Sequence, residues 1–98
     1  MDFKHLKTFV TAAQLESFSK AAQALGYTQA AITIQIQQLE EELQTHLFER
    51  FPRHVSLTAQ GELFLLHANE ILQAKDAACN AMKTQTQLTG TLRIGMIE

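Results

Sequence analysis

The sequence predicts a mainly α fold: three short helices and a small β-hairpin, followed by one long helix. Three observations carry that prediction. Capping residues Asp2, Ser17, Thr28 and Thr58 each stand ahead of a run whose apolar residues recur three and four apart. The one proline, Pro52, lies between two short β-compatible pieces. The last helical run is close to thirty residues long, more than a small core can cover.

A chain of 98 residues, 46% of them apolar, has material for one modest core. It holds no run long and apolar enough for a membrane span, and its first residues do not read as a secretion signal. One cysteine, Cys79, excludes an internal disulfide framework and suits a reducing cytoplasm. A formal net charge of −2 counts mildly against a freestanding nucleic-acid binder, although acids and bases segregate along the chain.

Asp2 caps a first helix with Phe3, Leu6, Phe9, Val10 and Ala13 on one face, ending near Leu15–Glu16. Ser17 caps a second, FSKAAQAL, with Ala21, Ala22 and Leu25 inward. Gly26 follows where a left-handed residue is wanted. Thr28 opens the third helix only two residues later, so helices two and three form a fixed pair. The third contains a local conflict, because Ile32-Thr33-Ile34-Gln35-Ile36 alternates like a strand. That alternation breaks at Gln37-Gln38, whereas Ile32, Ile36, Leu39 and Leu43 keep helical spacing and Leu47 extends the row. The longer period decides for helix.

Phe48–Arg50 and Val55–Leu57 then flank the Pro52 turn as a small hairpin, with Arg50, Arg53 and His54 on or beside it. Thr58 caps the long helix. Its row Leu65, Ala68, Leu72, Cys79 and Met82 is interrupted by Lys75 and widened by Phe64 and Ile71. The distal half calls for a partner, most simply a second copy of the chain. TLRIGMIE after Gly90 alternates like the first strand of a further domain.

The buried row of the third helix leaves Gln29, Ala30, Thr33, Ile34 and Gln37 facing outward, and Glu40, Glu41 and Glu42 at its C-terminal end. Those carboxylates oppose the helix dipole and would repel phosphate, whereas the N-terminal end favours it. A helix entering a nucleic-acid groove N-terminus first accounts for both ends. Two helices joined by a tight Gly turn, the second bearing short polar side chains, make a helix-turn-helix. Glutamine pairs with an adenine edge, and Ala, Thr or Ile can contact a thymine methyl, which gives Ile34 a role in the groove. Arg53 at the hairpin tip fits a narrow minor groove. Arg50, Lys4, Lys7 and Lys20 are candidates for phosphate.

In order from about Phe3 to Leu72, SFSKAAQALGYTQAAITIQIQQLEEEL, LFER and VSLTAQGELFLLHANEIL resemble the N-terminal region of LysR-type bacterial transcriptional regulators. The resemblance implies a winged helix-turn-helix over 1–58, a linker and dimerisation helix over 59–87, and the start of a truncated effector-binding domain over 88–98. It implies double-stranded promoter DNA as the partner and an antiparallel homodimer through the long helix. It further implies a tetramer in the full-length protein and a small-molecule inducer acting only through the missing C-terminal domain. Ser17 and Ser19 match the start of the family's second helix, Thr28 and Gln29 the start of its recognition helix, and Thr33 a usual hydroxyl position. Arg50 and Arg53 match its wing arginines. The pairing face would hold Phe64, Leu65, Ala68, Leu72, Cys79 and Met82. Three positions depart from the pattern: the family usually has Pro at Ala30, a basic or polar residue at Ile34, and Gly at Gln44. Ile34 itself cannot make a charged phosphate or guanine contact.

His5, His46, His54, His67 and Cys79 form no i, i+4 or Cys-x-x-Cys set, so no metal, cofactor or catalytic residue is expected. Glu40-Glu41-Glu42 reads as a solubilising face, since consecutive helix residues point in different directions. The rival reading is a helical dimerisation or adaptor module. The hairpin discriminates, because an adaptor has no need of Arg50 and Arg53 beside an amide-bearing face.

Overall fold

The helices begin where the caps stand. In the computed structural model, which describes residues 1–89 and the side chains of 1–83, the order is α1 (Phe3–Leu15), α2 (Phe18–Leu25), α3 (Gln29–Leu43), β1 (Phe48–Arg50), β2 (Val55–Leu57) and α4 (Ala59–Thr89). The Asp2 carboxylate accepts from the Lys4 amide, the Ser17 hydroxyl from Lys20, the Thr28 hydroxyl from Ala31 and the Thr58 hydroxyl from Gly61, at 2.9–3.1 Å. Gly26 ends α2 in the left-handed conformation (φ 78°), where a side chain would be strained. The expected strand after Gly90 lies outside the described residues.

The core takes Leu6, Phe9 and Ala12 from α1, Phe18, Ala21 and Ala22 from α2, and Ile32, Ile36 and Leu39 from α3. Leu47, Phe48 and Val55 close it from the hairpin side and Ala68 from α4. Four phenylalanine rings run through this core in contact. Phe64 lies 5.2 Å from Phe9, Phe9 lies 5.5 Å from Phe48, and Phe48 meets Phe18 edge-on at 5.3 Å. They connect α4, α1, β1 and α2 in turn.

The helical period of α3 prevails over its strand-like middle, as its buried row requires. Two expectations need correction. Phe3 is not a core residue; it is 48% exposed, with the Lys75 ammonium 5.4 Å from its ring centre. The buried arc of α1 is rotated toward α3 instead and takes in Ala12 and Thr8, whose hydroxyl donates to Gln35 Oε1 at 2.6 Å. Leu47 is fully buried but stands beyond α3, in the turn entering β1.

Side chains from the end of α3 hold that turn. Glu40 is no mere solubilising residue, because its carboxylate accepts the Leu47 amide at 2.8 Å and the Phe48 amide at 3.4 Å. Gln44 takes the left-handed conformation (φ 58°) usual for glycine and so preserves the end of α3. Gly61 is required by close approach, since a Cβ there would overlap the Leu47 carbonyl.

β1 and β2 pair antiparallel with Phe48 opposite Leu57 and Arg50 opposite Val55. The Val55 amide also donates to the Glu16 carbonyl at 3.1 Å, tying the hairpin to the α1–α2 turn. α4 leaves the core behind, and the molecule reaches 55 Å along its longest axis.

Candidate nucleic-acid interface

Residues from three elements meet beside the hairpin. Ser17 and Ser19 come from the start of α2, Gln29 and Thr33 from α3, and Arg50 and Arg53 from the hairpin. They line a notch of about 200 Å³, open to the surface. The tight turn through Gly26 places the α3 N-terminus next to that of α2. There the Ser19 hydroxyl donates to Gln29 Oε1 at 2.9 Å and fixes the direction of the amide. The Arg50 guanidinium sits 5.1 Å from the Phe18 ring centre, an arrangement that restrains a long cationic side chain while leaving it exposed.

The hairpin tip is ordered as well. The Phe51 amide donates to the His54 carbonyl at 2.9 Å, and the two rings stack at 4.8 Å and 11°. Arg53 projects between them in sequence and is exposed. The stack was not legible in the linear order; the only available signal was an aromatic residue three places before a histidine across a proline.

Away from the notch, α3 presents Ala30, Ile34 and Gln37, all exposed, on the side opposite its buried row. Gln29 is exposed, and Thr33 is half-buried where it faces the notch. Thr28 is exposed, with its hydroxyl engaged as the α3 cap. Lys20 is exposed on the first turn of α2. Lys4 and Lys7 stand apart from this cluster, in a separate groove beside Tyr27. Tyr27 is 38% exposed at the turn and carries no signal in the linear order, because its neighbours Gly26 and Thr28 account for the turn geometry alone.

On α4 the structure corrects one member of the expected pairing face. Ala68 is fully enclosed by its own chain and is not displayed to a partner, whereas Phe64 is half-buried with its ring on Phe9. Leu65 and Leu72 pack partly against the same core. Cys79 and Met82 are exposed, beyond the point where the core ends. Leu63 and Leu66, at 59% and 64%, are exposed on the far side of α4, outside the row that the core selects.

Among the described residues no group of three or more His, Cys, Asp or Glu side chains is placed to hold a metal ion. Among the same residues no helix is long and apolar enough to cross a membrane.

Comparison with known proteins agrees with this geometry. Residues 3–62 match the family described as bacterial regulatory helix-turn-helix protein, lysR family. The chain is 41% identical over all 98 residues to the uncharacterized HTH-type transcriptional regulator YwqM of Bacillus subtilis strain 168. It spans about a third of that relative's length, 33%. Its fold is similar to that of the CbnR DNA-binding domain in complex with DNA, with a TM-score of 0.83 and 36% identity, covering 86% of this chain and 97% of that one. The BenM DNA-binding domain bound to benA site 1 DNA gives a TM-score of 0.84 at 36% identity, covering 93% and 100%.

Proposed function

The chain belongs to the lysR family of bacterial regulatory helix-turn-helix proteins, and from that premise we propose how its residues divide the work of sequence-specific DNA binding by a transcription regulator. α3 enters the major groove with Gln29, Ala30, Thr33, Ile34 and Gln37 toward base edges. Arg53 approaches the minor groove. Ser17, Ser19, Lys20, Thr28 and Arg50 contact phosphates around the notch and fix the register.

In this reading residues 1–58 are the DNA-binding unit, 59–87 the linker and pairing helix, and 88–98 the start of an effector-binding domain. The chain pairs with a second copy through the distal part of α4, including Cys79 and Met82. The full-length protein is a tetramer that answers a small-molecule inducer through its C-terminal domain. It acts in the cytoplasm, without catalysis.

The observation that carries the reading is the convergence of α2, α3 and the hairpin on one notch with two arginines on its rim. Ser19 holds the Gln29 amide there before any partner arrives. Such preorganisation reduces what must be ordered on binding.

The test is selection of duplex oligonucleotides from a random pool, followed by a salt titration. Affinity should fall with a slope of roughly −0.9 per neutralised phosphate, shallow for so few cations. Gln29→Ala should cost about 1–3 kcal/mol on the selected site and leave random DNA unaffected. Equal losses on both would remove Gln29 from base recognition. An affinity unchanged by salt would point to a partner other than DNA.

A further inference from the structure

α3 carries one large apolar side chain in the open. Ile34 is 53% exposed, although Ile32 and Ile36, two residues away on either side, are fully buried. At about 100° per residue, Ile34 points almost directly away from the row Ile32, Ile36 and Leu39. Ala30 stands one turn before it on the same ridge and Gln37 one turn after, both exposed. This ridge is the part of α3 farthest from the core, and from Ala30 to Gln37 it bears no charge. Gln29 and Thr33 lie to one side of it, toward the notch.

A ridge of that kind has a narrow choice of partner within a DNA groove. Isoleucine offers no donor and no acceptor, so pressing it on a purine edge or on the cytosine amino group would strip water from polar atoms without replacement. The one apolar feature of the major-groove edges is the C5-methyl group of thymine. Resting on the assignment of this face to base edges, we propose that Ile34, backed by Ala30, is a specificity-determining residue that reads a pyrimidine 5-methyl group. The chemistry recognised is the methyl itself. Thymine and 5-methylcytosine both carry it, whereas uracil and cytosine do not.

The experiment uses the 98-residue chain and the duplex recovered by selection, with each thymine replaced singly by deoxyuridine. One thymine position per half-site should lose about four-fold in affinity, the equivalent of one buried methyl-sized group. At that position 5-methylcytosine paired with guanine should bind about four-fold better than cytosine paired with guanine. The Ile34→Ala chain should bind the thymine and deoxyuridine duplexes equally while retaining its melting temperature. Indifference of the unaltered chain to every deoxyuridine replacement would overturn the proposal, as would full methyl sensitivity in Ile34→Ala. Failure to recover any preferred duplex would overturn the underlying assignment of α3 to base edges, and this proposal with it.

Discussion

α3 and α4 both carry apolar residues three and four apart, yet the chain uses the two stripes differently. α3 spends its whole row, Ile32, Ile36 and Leu39, on the core and is free to present the opposite side. α4 spends only its first turns, through Gly61, Ala68 and the partly buried Phe64, Leu65 and Leu72; every residue from Gln73 to Lys83 is exposed. The difference teaches that a periodic stripe identifies which side of a helix is apolar, but not how far along its length the protein itself covers that side. Coverage depends on where the other elements end.

The largest effect should separate two isoleucines on α3. Ile36→Ala is expected to cost about 2–5 kcal/mol in urea unfolding, because it empties a fully enclosed site. Ile34→Ala should stay within about 0.5 kcal/mol. Similar losses for both would erase the distinction between the two sides. Next comes Gly61→Ala at the start of α4, where the new methyl must displace the Leu47 carbonyl. A loss of about 1–3 kcal/mol is expected by the same measurement, and a neutral result would mean that α4 is not tightly seated there.

On the exposed half of α4, Cys79→Asp should leave the unfolding midpoint of the monomer nearly unchanged, since the two residues have similar helix propensity. In sedimentation it should weaken self-association by about 1–3 kcal/mol through an unpaired charge placed in the seam. Unaltered association would move the seam elsewhere, with Leu63 and Leu66 the next residues to alter. The smallest effect concerns the end of α3. Gln44→Gly should raise stability by up to about 1 kcal/mol, because the backbone there is already left-handed.

Much of this was legible in the linear order, and the rest was hidden for definable reasons. Among the described residues, caps and periods mark the four helices and the Pro52 turn marks the two hairpin strands. The number of helical turns decides between helix and strand at Ile32–Ile36. Ala12 and Thr8 went unrecognised as core because one is small and the other polar; Thr8 tolerates burial only through Gln35, twenty-seven residues away. Glu40 looked like one of three equivalent acids until the fold brought the amides of Leu47 and Phe48 to it. Gln29, Thr33, Arg50 and Arg53 follow from the outward helix face and the hairpin, and Ser17 and Ser19 from the family resemblance. The Ser19–Gln29 bond follows from neither; it forms where Gly26 turns α3 back beside α2. On α4, spacing cannot reveal that Ala68, in the row expected to pair, is already enclosed.

The relay of four rings from Phe64 to Phe18 links the shaft of α4 to the arginine resting on Phe18. Packing contacts thus run without a break from α4 to the hairpin. If two copies pair through α4 as proposed, the crossing of the two helices would set the distance between their wings, and with it the spacing of the half-sites on a duplex.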